Sequence, residues 1–372
     1  MTQFLSKPFF PPVIDATTLA SFRSCPQKAF RSYVQHWKPQ AESVHLVAGG
    51  AFAKGIEVAR RAFFEGVHET PIINYNAGVR TVAWVEEAGN PVGDKATAEA
   101  LGLQALIAKY GDFECPPDSG KSLTRTAGAL EFYYEQYPFG EDGMEPITLA
   151  SGRRGIEFSF ATPIGIDHPQ TGDPILYAGR ADLIANFSNG IYIVDEKTTS
   201  SLGQSWSRQW EMRGQFTGYM WAAAEQGVQT TGCIVRGVSI LKTKYDTMQV
   251  LTYRTPHEID LWHKQTLRDI HRMIACWREG YWDYALDGAC TEYGGCSMVR
   301  VCKSPSPEEW LPMYFEKRVW DPLGRVEKTQ EAWEAEWGYE AVPARMTQEQ
   351  RNDERREELA AGFDSASDSV EE

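Results

Sequence analysis

The feature that most constrains the fold is a block of three short apolar runs between Gly155 and Thr199: GIEFSFATPIG, PILYAGRADLIANF and GIYIVDEKTT. Each is rich in β-branched or aromatic residues and bounded by Asp, Gly, Asn or Pro, so each reads as a strand. Ser188-Asn189-Gly190 joins the last two as a tight hairpin. A helix over about 206–226, a strand in GCIVRGVSILK and a long helix over 256–279 follow. The order β-β-β-α-β-α predicts an α/β fold with a mixed central sheet flanked by helices.

Upstream the pattern is helical. TTLASFRSCPQKAFRSYVQHW reads as a helix interrupted near Pro26, with Asp15 or Thr17 as its cap. Over 49–66, Ala53, Ile56, Glu57, Arg60 and Phe64 recur at three- and four-residue spacing on one side of a helix. The stretch 70–150, with KATAEALGLQALIAKY and GALEFYYEQYPF, predicts a helical insertion. The Pro- and Phe-rich residues 1–14 predict an extended surface segment. Residues 15–305 then form the main domain, 306–344 an extension, and 345–372 an acidic, disordered tail.

Charge narrows the function. The chain carries a net −14; its tail from Met346 holds nine acidic residues against three arginines, so the body keeps about −8. A protein that coats phosphate backbones is ordinarily basic, so any nucleic acid must be met in a confined basic groove or through bound cations. No apolar run approaches the roughly 20 residues of a membrane span. The N-terminus lacks a continuous apolar signal segment, which predicts a reducing cytoplasm.

Three ionisable residues stand out against the apolar strands. Asp182 lies near the middle of one, and Asp195 and Lys197, two apart on the next, share one face of the sheet. Pairing about Asn189 brings Asp182 close to Asp195. Two carboxylates and the backbone carbonyl of Glu196 make a hard-oxygen site suited to Mg²⁺ or Mn²⁺. Lys197 would stand beside an attacking water or a developing negative charge. The plain alternative for an Asp-x-Lys is a surface ion pair, but the run Ile191-Tyr192-Ile193-Val194 argues that these charges adjoin the core.

The series Gly179-Arg180-Ala181-Asp182, Ile193-Val194-Asp195-Glu196-Lys197-Thr198 and Gln215-x-x-x-Tyr219 resembles the PD-(D/E)XK nuclease superfamily. The similarity is to its RecB-like branch, which includes CRISPR-adaptation exonucleases and many phage-encoded relatives. The opening LASFRSCPQKAF resembles the same branch, so the likeness covers about 15–60 and 150–305. It implies metal at Asp182 and Asp195, a catalytic Lys197, and Gln215 and Tyr219 supporting the site and the DNA strand. It also implies a metal-dependent exonuclease on single-stranded DNA ends in replication, recombination or repair, with proteins of those processes as partners and, for a phage chain, the host cytoplasm as location. The branch places a His on its first core helix, where this chain has Ala53. Glu57, four residues on and on the same face, is the candidate third ligand; the alternative is a catalytically inactive binding relative.

Cys290, Cys296 and Cys302 are evenly spaced, with Gly294 and Gly295 permitting a tight wrap. Three thiolates need a fourth ligand to close a tetrahedral zinc site or an iron–sulfur cluster. In iron–sulfur members of the resembled branch one N-terminal Cys joins three C-terminal ones, which implies Cys25 and a [4Fe–4S] clasp; zinc and plain buried thiols are the competing readings. Arg208, Arg213, Trp206 and Trp210 fit either a single-strand channel or an amphipathic helix with aromatic core contacts.

Overall fold

The computed structural model describes residues 8–76, 79–149, 152–286, 288–291, 295–318, 320 and 322. β1 (Val13–Asp15) leads into α1 (Ala16–Ser24), α2 (Pro26–Ala29), a π-helical turn at Phe30–Val34 and β2 (Trp37–Pro39). α3 (Val44–Glu65) precedes the hairpin of β3 (Val67–Asn76) and β4 (Val79–Ala88), then α4 (Lys95–Tyr110) and α5 (Leu123–Gln136). β5 (Met144–Pro146), β6 (Ile156–Asp167), β7 (Pro174–Phe187) and β8 (Gly190–Thr199) follow. The chain crosses through α6 (Gln204–Arg208) and α7 (Gly214–Glu225) to β9 (Gly232–Ile240), β10 (Tyr245–Tyr253) and α8 (Pro256–Glu279). α9 (Val299–Lys303), α10 (Pro307–Tyr314) and β11 (Phe315–Lys317) complete it.

Seven of the described strands make one mixed sheet in the order β1-β7-β8-β9-β10, with β5 and β6 on the other edge of β7. β8 and β9 are parallel, joined over one face by α6 and α7. On that face Phe22, Phe160, Ile193, Phe216, Val235 and Ile270 form the main core with α1, α7 and α8. The opposite face carries α3, α4 and α5, packed through Phe52, Ile56, Leu106, Tyr133 and Val238. This is the helix-flanked mixed sheet that the strand order predicts.

The sheet forks. β8 pairs with β7 only from Phe187↔Gly190 to Leu183↔Val194, and β1 pairs with the same edge of β7 at Leu176–Ala178. Between these two partners the segment Gly179-Arg180-Ala181-Asp182 has, among the described residues, no strand beside it on that edge. β8 continues through Asp195 to Thr199 against β9 alone.

Two expectations fail. Residues 67–76 and 79–88 are paired antiparallel strands rather than part of a helical insertion. PIINY and RTVAWV are β-branched and aromatic, and pairing satisfies their backbone groups; only α4 and α5 of that stretch are helical. Residues 8–14 are not a surface strip, because Phe10 and Ile14 are fully buried and Val13–Asp15 adds a parallel strand. Residues 1–7, Gly294 and the tail 345–372 lie outside the described residues, as does most of the extension 306–344 beyond Arg318. Asp15, not Thr17, caps α1, accepting from the Thr18 amide at 2.8 Å. The strand β10 was not legible as such. Among the described residues no helix is long and apolar enough to cross a membrane.

Candidate active site

At the fork, register sets Asp182 opposite Asp195, one step beyond the last β7–β8 pair. Where the ladder has ended, the Asp182 carboxylate replaces it: Oδ2 accepts from the Glu196 amide at 2.9 Å. Asp195 is 2% exposed, and one of its oxygens, Oδ1, is buried with no hydrogen bond. Lys197 Nζ is in ion-pair contact with that oxygen, off hydrogen-bond geometry.

The electrostatics are those of an under-neutralised cluster. Burial, then the charges of Asp195, Glu196 and Glu157, push the Asp182 carboxyl well above the usual carboxylate range. Burial likewise raises Asp195 although Lys197 opposes it. Burial alone would lower the Lys197 ammonium, but Asp195 and Asp182 together hold it up, so Lys197 is firmly cationic. Excess buried negative charge and an all-oxygen donor set fit a hard divalent cation. Among the described residues no three His, Cys, Asp or Glu side chains converge in metal-ligand geometry, so two side-chain carboxylates are what the site itself brings together.

Gln215 and Tyr219 reach the same place from α7. Gln215 Nε2 donates to Tyr219 Oη at 2.9 Å, and the phenol's pKa is raised by burial and by the nearby Asp195 charge. Gly179 explains how the ring fits: a Cβ there would stand 2.6 Å from Phe160 Cζ and 2.9 Å from Tyr219 Cε1. The glycine of Gly-Arg-x-Asp thus lets the tyrosine lie against β7.

Glu196 turns to the other face. Its side chain takes Arg60 Nη2 at 2.6 Å and Tyr133 Oη at 2.9 Å. Arg236 Nη1 extends the network to Tyr133 at 3.3 Å and to Asp142 at 2.7 Å. Glu57, on α3, is held by Lys54 at 2.9 Å and acts electrostatically on Glu157 and Arg180 rather than joining Asp182 and Asp195 as a third close carboxylate. Ala53, one turn earlier on α3, offers no ligand atom.

Glu157 is a residue that sequence reasoning missed. It lies in β6 between Ile156↔Leu183 and Phe158↔Ala181, hence across from Asp182. Its φ is +54°, an uncommon conformation for a residue with a side chain. It pairs with Arg180 Nε at 2.8 Å, yet burial and the Glu57 charge push its carboxyl up to about 7. A glutamate inside the apolar run IEFSF was the available signal.

Cys25, just ahead of α2, and the three cysteines of the C-terminal motif are near enough to act on one another electrostatically, but among the described residues no three of them converge in metal-ligand geometry. Burial and the nearby thiols of Cys296, Cys25 and Cys290 push Cys302 up to about 11. The α2 segment is tied to the chain ahead of Cys290: the Gln27 amide donates to Asp283 O at 2.9 Å, and Phe30 stacks on Trp282 at 5.2 Å. The Cys296 amide donates to Cys290 O at 3.0 Å. None of the four is in a disulfide. Trp206 and Trp210 are buried in the main core, whereas Arg208 and Arg213 are exposed.

The family model of the PD-(D/E)XK nuclease superfamily matches residues 14–303. That is well over half of the chain, which belongs to this superfamily. Among solved structures it is similar to a candidate exonuclease from Eubacterium rectale, at 11% identity over 77% of this chain and 91% of that one, with a TM-score of 0.40. It is also similar to SSO0001, at 16% identity over 40% of this chain and 57% of that one, with a TM-score of 0.24. None of the curated proteins matches.

Proposed function

We propose that this chain is a Mg²⁺- or Mn²⁺-dependent deoxyribonuclease acting on single-stranded DNA ends in replication, recombination or repair. The observation that carries the reading is the meeting of Asp182 and Asp195 at the sheet fork with the Lys197 ammonium against them. Asp182, Asp195 and the Glu196 carbonyl would hold the cation, while Glu57, paired with Lys54, and Glu157, paired with Arg180, would add negative charge nearby without ligating it. The cation would supply Lewis-acid polarisation of the phosphate and its attacking water.

The chain's own groups account for the rest. Because Lys197 is held cationic, it serves as a donor to the incoming water oxygen and the developing phosphate charge, not as a base. Water oxygen forms the new P–O bond and gives up a proton to bulk solvent, the bond to the leaving sugar oxygen breaks, and that oxygen takes a proton back from solvent, so the linkage gains one H₂O overall. Tyr219, oriented by Gln215, fixes one wall of the site. Incubation with labelled single-stranded DNA should give degradation with Mn²⁺ and none with chelator. No degradation by protein that still binds DNA would instead favour the inactive binding relative, the reading that Ala53 supports.

The even spacing of Cys290, Cys296 and Cys302, with Cys25 electrostatically within reach of Cys302, is what supports a [4Fe–4S] clasp on these four thiols, which would have to draw together to close it. Closing so long a loop would contribute on the order of 5 kcal/mol by analogy with a disulfide. Anaerobically prepared protein should be brown and carry iron. Colourless protein carrying zinc would assign Zn²⁺ to the same thiols.

A further inference from the structure

A cleft of about 610 Å³ opens beside the fork, between α1, the α6–α7 segment and α8. Arg23, Arg208 and Arg213 line it with Gln215 and Tyr177, and Glu211 is the one acid among its lining residues. Three arginines gathered on a chain of net charge −14 mark a local reversal of the field. Arg208 and Arg213 have no ion-pair partner among the described residues. Arg23 spends Nε on Asp269 at 2.7 Å and Nη2 on Thr266 at 3.3 Å, while Nη1 faces Gly214.

Two further features point to an anion. No side chain caps α7, and the amides of Phe216 and Thr217 turn back to Arg213 O. The amides of Gly214 and Gln215 are then the open positive end of a 12-residue helix, directed at the cleft. Tyr177, 1% exposed, lines the cleft, and its buried hydroxyl has no hydrogen-bond partner. Gly218 packs on that hydroxyl, since a Cβ there would lie 2.2 Å from it.

We propose that this cleft binds the terminal phosphomonoester of a DNA strand while the adjoining linkage occupies Asp182 and Asp195. The proposal rests on the nuclease reading for what the neighbouring site does. Gln215 belongs to both places, lining the cleft and bonding Tyr219, so the two sites are one residue apart. A terminal phosphate has three free oxygens and a charge of about −1.5 to −2. That matches a cradle of guanidinium groups, two helix amides and a phenol better than a singly charged internal diester does. Recognition of the terminus would make the enzyme work from an end and step along the strand.

The test is fluorescence anisotropy of the full chain with single-stranded oligonucleotides bearing a 5′-phosphate, a 3′-phosphate or hydroxyls at both ends, without divalent ion. One phosphorylated end should bind about tenfold or more tighter than the hydroxyl form, and inorganic phosphate should compete. The preferred end gives the polarity. Arg208→Gln and Arg213→Gln should each shrink the preference, and Tyr177→Phe should reduce it by a smaller factor. Equal affinity for all three strands, or a preference unchanged in the double arginine variant, would overturn the proposal. Because no cleavage is read, a preference that persists in protein inert with Mn²⁺ sinks only the nuclease reading.

Discussion

Asp195 and Glu196 are consecutive on β8, and their surroundings treat them in opposite ways. Glu196 points to the face of α3 and α5, where burial would raise its carboxyl but Arg60 and Arg236 outweigh that and lower it. Asp195 points into the fork, where burial prevails over Lys197 and the carboxyl is raised. One acid is neutralised by cations built into the fold, whereas the other leaves negative charge over. A buried carboxylate with its own guanidinium holds structure together; buried carboxylates that outnumber their cations require a counter-ion from outside.

The sharpest break of this pairing is substitution on the two sides of β8. Lys197→Ala should lower DNA cleavage by about a thousandfold or more while binding persists, as expected for loss of a donor to transition-state charge. Equal turnover by variant and parent removes Lys197 from the mechanism. Glu196→Ala should instead act on stability, by about 3–5 kcal/mol in urea unfolding, because it strands Arg60 in the interior. A Glu196→Ala protein as stable as the parent would show that the network is not what fixes β8.

Proton linkage sharpens the contrast next. In the metal-free protein Glu157 titrates at about 7 against an ordinary 4.5, and Asp182 and Asp195 shift in the same direction. The folded chain therefore keeps protons that the unfolded chain has released. Glu157 alone should lower stability by on the order of 3 kcal/mol as pH rises from about 4.5 to about 7, and the raised aspartates add to the decline in the same direction. Mn²⁺ should reverse the decline in thermal melts. A metal-free stability that climbs over this range would mean the cluster is already neutralised. In Glu157→Gln much of the decline should vanish.

How much of this could be read in the sequence depended on how local the cause was. The β7–β8 hairpin declares itself through two-residue alternation and the Ser188-Asn189-Gly190 turn, so the register that sets Asp182 against Asp195 was legible. The fork was not, because it arises from β1, a three-residue strand that pairs across more than 160 positions. Glu157 escaped for a related reason: its backbone departs from the strand conformation that alternation assumes. The β3–β4 hairpin was absorbed into a helical reading by the Ala-rich stretch that follows it. Gln215 and Tyr219 were visible only as part of a familiar series, since nothing local says that a helix 20 residues past Lys197 returns to the site.

The smallest expected effect tests the glycine that admits Tyr219 to the fork. Gly179→Ala adds one methyl where Phe160 Cζ and Tyr219 Cε1 leave 2.6 and 2.9 Å, so at least one ring must move. Phe160 is fully buried and packed against Tyr177, whereas Tyr219 keeps 7% exposure, so the tyrosine should yield. Overpacking of this kind costs about 1–2 kcal/mol. The loss should fall on turnover more than on folding, because the displaced phenol adjoins Asp195 and Lys197, while the Arg60–Glu196 network on the other face is untouched. Tyr219→Phe in the same background separates the two causes: if the hydroxyl's position matters, the double variant should lose little beyond Gly179→Ala. Additive losses would mean the methyl acts by distorting β7 itself.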